Sequence, residues 1–176
     1  MKYFIKKSLY ALIYVLLLMV SSACEEDYLT INAFEAEGTT VGYGVSDTSA
    51  TLRVAVVSME CSKNKADNIE KIIDYIENII ASDPEIELIS FGESITGWYA
   101  EQPSYIEQIA EPIPGPFTDT LSYYAGKYSI YLSVGLAEYD GDEIFNSMVL
   151  FNPEGDIIGK HRKNTLTPED ESAGYS

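Results

Sequence analysis

Glu93 stands in the stretch ISFGESITGWY, just past the end of an apolar run that reads as a β-strand. In open α/β sheets, ligands bind at the carboxyl ends of the strands. A carboxylate placed there, between Phe91 and Trp98, is partly withdrawn from water and suits general-base work. The plainer reading is a solvated loop glutamate, one among 28 acidic residues. The second suggestive stretch is Lys160, His161, Arg162 and Lys163, a basic cluster in an acidic chain. An ammonium close to a carboxylate can stabilise an oxyanion as it forms. Its plainer reading is a basic turn that balances local acids. His161 has no Ser or Cys beside it in the sequence to activate.

Two cysteines and one histidine leave no thiolate–imidazole zinc set, and no metal or cofactor is expected. Cys61, between a strand and a helix, reads as a small packing residue. With 11 basic and 28 acidic residues the formal net charge is −17. Phosphate binding needs clustered Lys and Arg, so nucleic acid is not an expected partner. At 46% hydrophobic residues the chain is too apolar for disorder, and 176 residues suffice for one domain.

The elements that must carry Glu93 and Lys163 are legible from patterning. The run LRVAVVSM at 52–59 is β-branched and apolar, which predicts a buried strand. Ile69, Ile72, Ile73, Ile76, Ile79 and Ile80 line one face of a helix over 65–82, closed by Asp83-Pro84. A second strand at 87–91 completes a parallel strand–helix–strand unit. Residues 92–116, with four prolines, read as loop. A helix follows over 117–128, then strands at 129–137, 144–151 and 156–160, with Asp140-Gly141 as a hairpin turn. The expected sheet is α/β, parallel at first and antiparallel at the end. Trp98, Tyr99 and Tyr105 are placed either to border a pocket near Glu93 or to pack the loop.

The amino terminus reads as an address. Lys2, Lys6 and Lys7 precede an uncharged run over 8–23 that ends in Ser21-Ser22-Ala23, followed by Cys24. Such a basic start, short apolar stretch and small residues form a secretory signal. It resembles a bacterial lipoprotein signal, in which cleavage leaves Cys24 as the lipidated first residue; the alternative is an uncleaved anchor helix. Acyl chains contribute about 0.8 kcal/mol per buried CH₂ to membrane anchoring. The resemblance implies a domain tethered to a membrane outside the cytoplasm, in the cell envelope. Glu25-Glu26-Asp27 resembles the acidic run of surface-exposed lipoproteins, or else simply starts a solvated linker. The expected organisation is a signal at 1–23, a tether with a short strand at 24–50, and a domain at 51–176.

From 52 to 163 the order of motifs resembles the nitrilase, or carbon–nitrogen hydrolase, superfamily. RVAVVSM, an amphipathic helix and ELISFGESITGWY lead to IPGPFTDTLSYYAGKYSIYLSVGLAEYDGDEIFNSMVLFNPEGDIIGKHRK. The resemblance implies an αββα sandwich, present here as its N-terminal portion, and a Glu–Lys–Cys triad working without a cofactor. Glu93 matches the general base and Lys163 the residue that stabilises the tetrahedral intermediate. A cysteine nucleophile attacks the carbon of a small amide, in preference to a nitrile, and water then hydrolyses the covalent intermediate. Glu169 or Glu171 matches a further structural glutamate, and a homo-oligomer is plausible on the same ground. No cysteine lies between Lys163 and Ser176. The chain therefore reads as part of a longer enzyme; the alternative is a non-catalytic, nitrilase-like binding lipoprotein. Residues 24–176 on their own are expected not to hydrolyse amides. Steady ammonia release by that purified segment, abolished by Glu93→Gln, would contradict this.

Overall fold

Isoleucine spacing builds the first helix, and the rest of the fold is arranged around it. In a computed structural model of the chain, residues 29–31, 52–97 and 103–176 are described. The signal stretch, Cys24, most of the tether, Trp98 and Tyr99 lie outside them. Helix α1 (Lys65–Ser82) has the bounds that the sequence predicts. Asn64 caps it by accepting from the Ala66 amide at 2.9 Å, and the Asp83 amide closes it on the Ile79 carbonyl. Ile72 and Ile76 are fully buried. Each such side chain stabilises the fold by about 1.5–3 kcal/mol.

The strands are β1 (Leu29–Ile31), β2 (Val54–Val57), β3 (Leu88–Phe91), β4 (Tyr131–Asp140), β5 (Glu143–Phe151) and β6 (Ile157–Arg162). They form one six-stranded sheet in chain order. β2, β3 and β4 are parallel, whereas β1–β2, β4–β5 and β5–β6 are antiparallel. This is the expected mixed sheet, with the short tether strand added at its edge. It is an α/β fold in which one sheet is present among the described residues.

Three helices follow α1: α2 (Pro103–Ile109), α3 (Pro116–Tyr128) and α4 (Pro168–Ala173). α3 matches expectation, but α2 corrects the reading of 92–116 as loop, and α4 was not foreseen. Both are too short to display a helical period, and each begins with a proline at its first position. The main core lies between one sheet face and helices α1 and α3. Val57, Ile89, Val134 and Phe151 meet Ile72, Ile76, Phe117 and Leu121 there. Ile106 and Ile109 of α2 pack in a second cluster with Ile144, Ala173 and Tyr175, which fastens the C-terminal segment to the sheet. Among the described residues, no helix is long and apolar enough to cross a membrane.

Among the described residues, one charged side chain is buried on the sheet face that α1 and α3 cover. Glu138 of β4 is 1% exposed. It accepts hydrogen bonds from Ser147 Oγ at 2.6 Å, from Arg162 Nε and Nη2 at 2.8 Å, and from Lys160 Nζ. Burial pushes its pKa up, but the bonds from Arg162, Lys160 and Ser147 outweigh that and hold it at about 2. A carboxyl more acidic when folded than when unfolded adds stability that is present above the ordinary value of 4.5 and lost as pH falls toward 2. Glu138→Gln is expected to destabilise by about 3–5 kcal/mol at neutral pH, less whatever the one-third exposure of both cations screens. The difference in melting temperature from the natural chain should shrink between pH 5 and pH 2. A difference that stays constant through that range would refute the assignment.

Candidate active site

All four residues of β3 are buried, and the chain leaves the strand through Gly92 and Glu93. A close approach to β4 decides where Glu93 points. The Gly135 amide donates to the Gly92 carbonyl, and the Gly135 carbonyl accepts from the Ile95 amide, both at 3.1 Å. A Cβ on Gly135 would lie 2.7 Å from Glu93 Cα and from the Gly92 oxygen, so only glycine fits. Ser94 takes a left-handed conformation (φ 52°) directly after Glu93. Its hydroxyl lies 3.1 Å from the buried Tyr175 hydroxyl. Burial pushes the Tyr175 phenol up to about 12, so it stays neutral.

Lys163 follows β6 directly, and its amide donates to the Asn146 carbonyl at 2.8 Å. Its Nζ lies 2.9 Å from Glu93 Oε1 and 2.8 Å from Asp170 Oδ2. Asn146 Nδ2 donates to Glu93 Oε1 and, at 3.4 Å, to Asp170 Oδ1. One ammonium and one amide thus hold two carboxyl groups together. Glu93 and Lys163, picked out separately in the sequence, are brought into contact across 70 residues of chain.

The reason that Glu93 suits this place differs from the sequence expectation. Its side chain is 40% exposed, so partners rather than desolvation hold it. Among the described residues its hydrogen-bond donors, Asn146 and Lys163, both meet Oε1 and none meets Oε2, the oxygen available to a reacting proton. Sequence reasoning missed Asn146 and Asp170. Glu169 and Glu171, either of which was matched to the further structural glutamate that the resemblance implies, are exposed; Asp170 between them is fully buried. Asp170 is selected by a capping box, in which its Oδ2 accepts from the Thr167 amide at 2.7 Å and its amide donates to Thr167 Oγ1 at 3.2 Å. That Thr-x-x-Asp spacing, Thr167 to Asp170, was the available signal. Burial raises the Asp170 pKa, the Thr167 amide opposes it, and the Glu93 charge raises it further.

The other singled-out residues stand apart. Lys160 turns to Glu138 on the opposite face of the sheet, and His161 is exposed. The Tyr105 hydroxyl donates to the Lys63 carbonyl at 3.1 Å, and its ring packs with the second core cluster. Cys61 is half-buried with its Sγ 3.5 Å from the Ile95 carbonyl; burial pushes its thiol pKa up, which disfavours a thiolate. Among the described residues no group of three His, Cys, Asp or Glu side chains is arranged to hold a metal ion. Gly135→Ala is expected to destabilise by about 1–3 kcal/mol, because backbone rather than a flexible side chain stands in the way. Thermal denaturation measures it; an unchanged melting temperature would show that the contact is not tight.

The carbon–nitrogen hydrolase family matches residues 53–175. The chain is 31% identical over 114 residues to an omega-amidase of Homo sapiens, covering 64% of this chain and 40% of that protein. It is 33% identical over 138 residues to a bifunctional nitrilase/nitrile hydratase of Lupinus angustifolius, covering 76% and 37%. Among solved structures, a nitrilase-superfamily protein of Saccharomyces cerevisiae, 25% identical, matches with a TM-score of 0.60 over 71% of this chain and 48% of that one. The chain thus spans about two-fifths of the length of the curated relatives it matches. The family match runs from the first residues before β2 to the last residues after α4, and on that ground the chain belongs to the carbon–nitrogen hydrolase family.

Proposed function

We propose that this chain is the glutamate- and lysine-bearing part of a hydrolase of non-peptide carbon–nitrogen bonds, acting on small amides before nitriles. The observation that carries the reading is the 2.9 Å contact of Lys163 Nζ with Glu93 Oε1 at the carboxyl end of a parallel strand. The relatives that it matches include omega-amidases and a nitrilase/nitrile hydratase, which supports the bond class.

In this reading Glu93 Oε2 takes the proton of a cysteine thiol, and the thiolate attacks the amide carbon. Lys163 donates a hydrogen bond to the oxyanion that forms. The proton held by Glu93 passes to the leaving nitrogen, ammonia departs, and a thioester is left. Water, deprotonated by Glu93, then releases the acid and restores the thiol. Asp170 and Asn146 hold Lys163 and Glu93 in place through these steps. The thiol is not among residues 164–176, and the proposal takes it from sequence beyond the stretch matched here. Cys24 as a lipid anchor, with the domain outside the cytoplasm, is part of the same proposal and rests on the sequence of residues 1–27.

The test is ammonia release from short amides and nitriles by the product of the whole reading frame. Glu93→Gln is expected to lower kcat/KM by about 10²-fold or more. Lys163→Met is expected to lower it by about 10²–10³-fold. Undiminished turnover in Glu93→Gln would end the proposal.

A further inference from the structure

β6 buries none of its side chains. Ile158, Gly159 and Arg162 are half-buried, and Ile157, Lys160 and His161 are exposed. The register of a strand is set by the face it buries, because the backbone ladder is equivalent in every register. β6 is therefore weakly specified by apolar burial. Its ladder already shifts once, since Leu150 pairs with Gly159 but Phe151 with Ile157. A further slip of one residue would turn Lys163 to the helix-covered face, away from Glu93.

Glu138 opposes that slip. It sits two strands away on the helix-covered face and holds Lys160 and Arg162 there. Arg162 is also tied to Asp140 at 2.5 Å and lies 3.7 Å over the Phe145 ring. Side chains alternate along a strand, so His161 and Lys163 then take the other face. In the slipped register Lys160 and Arg162 leave that face and His161 and Lys163 take it, so Glu138 exchanges the two bonds of the Arg162 guanidinium and the Lys160 bond for one ammonium and an imidazole, while the buried Asp170 loses its cation. Buried ionic groups add little net stability compared with apolar packing, and their best-attested use is to specify register.

We infer that Glu138 is a positioning residue for Lys163, its carboxylate selecting the register of β6 that delivers Lys163 to Glu93. The inference takes its functional meaning from the proposed hydrolase, but its geometry does not depend on turnover.

The test is the rate of acetylation of each lysine in the 176-residue chain by an amine-reactive ester, resolved by peptide mass spectrometry. Lys163 is held by two carboxylates and is expected to react slowly. The variant Glu138→Leu, Lys160→Met, Arg162→Met removes the cluster without leaving an unpaired buried charge. Lys163 should then react about tenfold faster, the scale of one lost charged hydrogen bond. Lys65, bound to Glu111 and the Ile109 carbonyl, and Lys127, paired with Glu77, should keep their rates. Arg162→Met, at a residue one-third exposed, is the second arm with the same expectation should the triple variant fail to fold. An unchanged Lys163 rate, or an equal rise at all three lysines, overturns the inference. Absence of amide hydrolysis by the whole reading frame would overturn the proposed function and leave this labelling result standing.

Discussion

A single ammonium makes the site possible. Glu93 and Asp170 are like charges that each contact Lys163 Nζ within 3 Å. Without a cation between them, two carboxylates this close would repel each other. Asp170 is fully buried, so the cost of its charge is high and its tie to Lys163 matters correspondingly. Asn146 completes the arrangement from below by donating to both acids. Four parts of the chain must converge for this: the turn after β3, strand β5, the residue after β6, and the first turn of α4.

The sheet acts as the spacer between two ionic groups. On the helix-covered face, Glu138 gathers Lys160 and Arg162; on the other, Glu93 and Asp170 gather Lys163. The two groups share a short run of backbone, in which consecutive side chains point to opposite faces. The basic cluster that looks like one feature in the sequence is thus divided between two sites. Gly135 contributes from β4 by letting the Gly92–Ser94 backbone approach closely, so the turn that carries Glu93 rests on the sheet rather than on a side chain.

Much of this was legible before any coordinates. Helix α1 could be read to its end residues, because six isoleucines repeat at helical spacing between Asn64 and Asp83-Pro84. The strand β3 and its exit also stood out, and so did the position of Glu93 beyond it. Lys163 could be picked out because basic residues are few. The parallel-then-antiparallel order followed from helix-length connections early in the chain and tight turns late. Helices α2 and α4 were not legible, since seven and six residues do not complete enough turns to show a period.

What the sequence by itself determined is therefore the α/β fold, the order of its strands, and the places of Glu93 and Lys163 just beyond strand ends. Local periodicity and the placement of charge at strand ends are properties of short stretches, and short stretches can be read directly. Only the tertiary structure decided which acids are buried. Asp170 stands between two other acids in the run Glu169-Asp170-Glu171, and Glu138 is one of many carboxylates; nothing local separates them. Their burial follows from cross-strand register and helix docking, which bring together residues as much as 81 positions apart, from Ser94 to Tyr175.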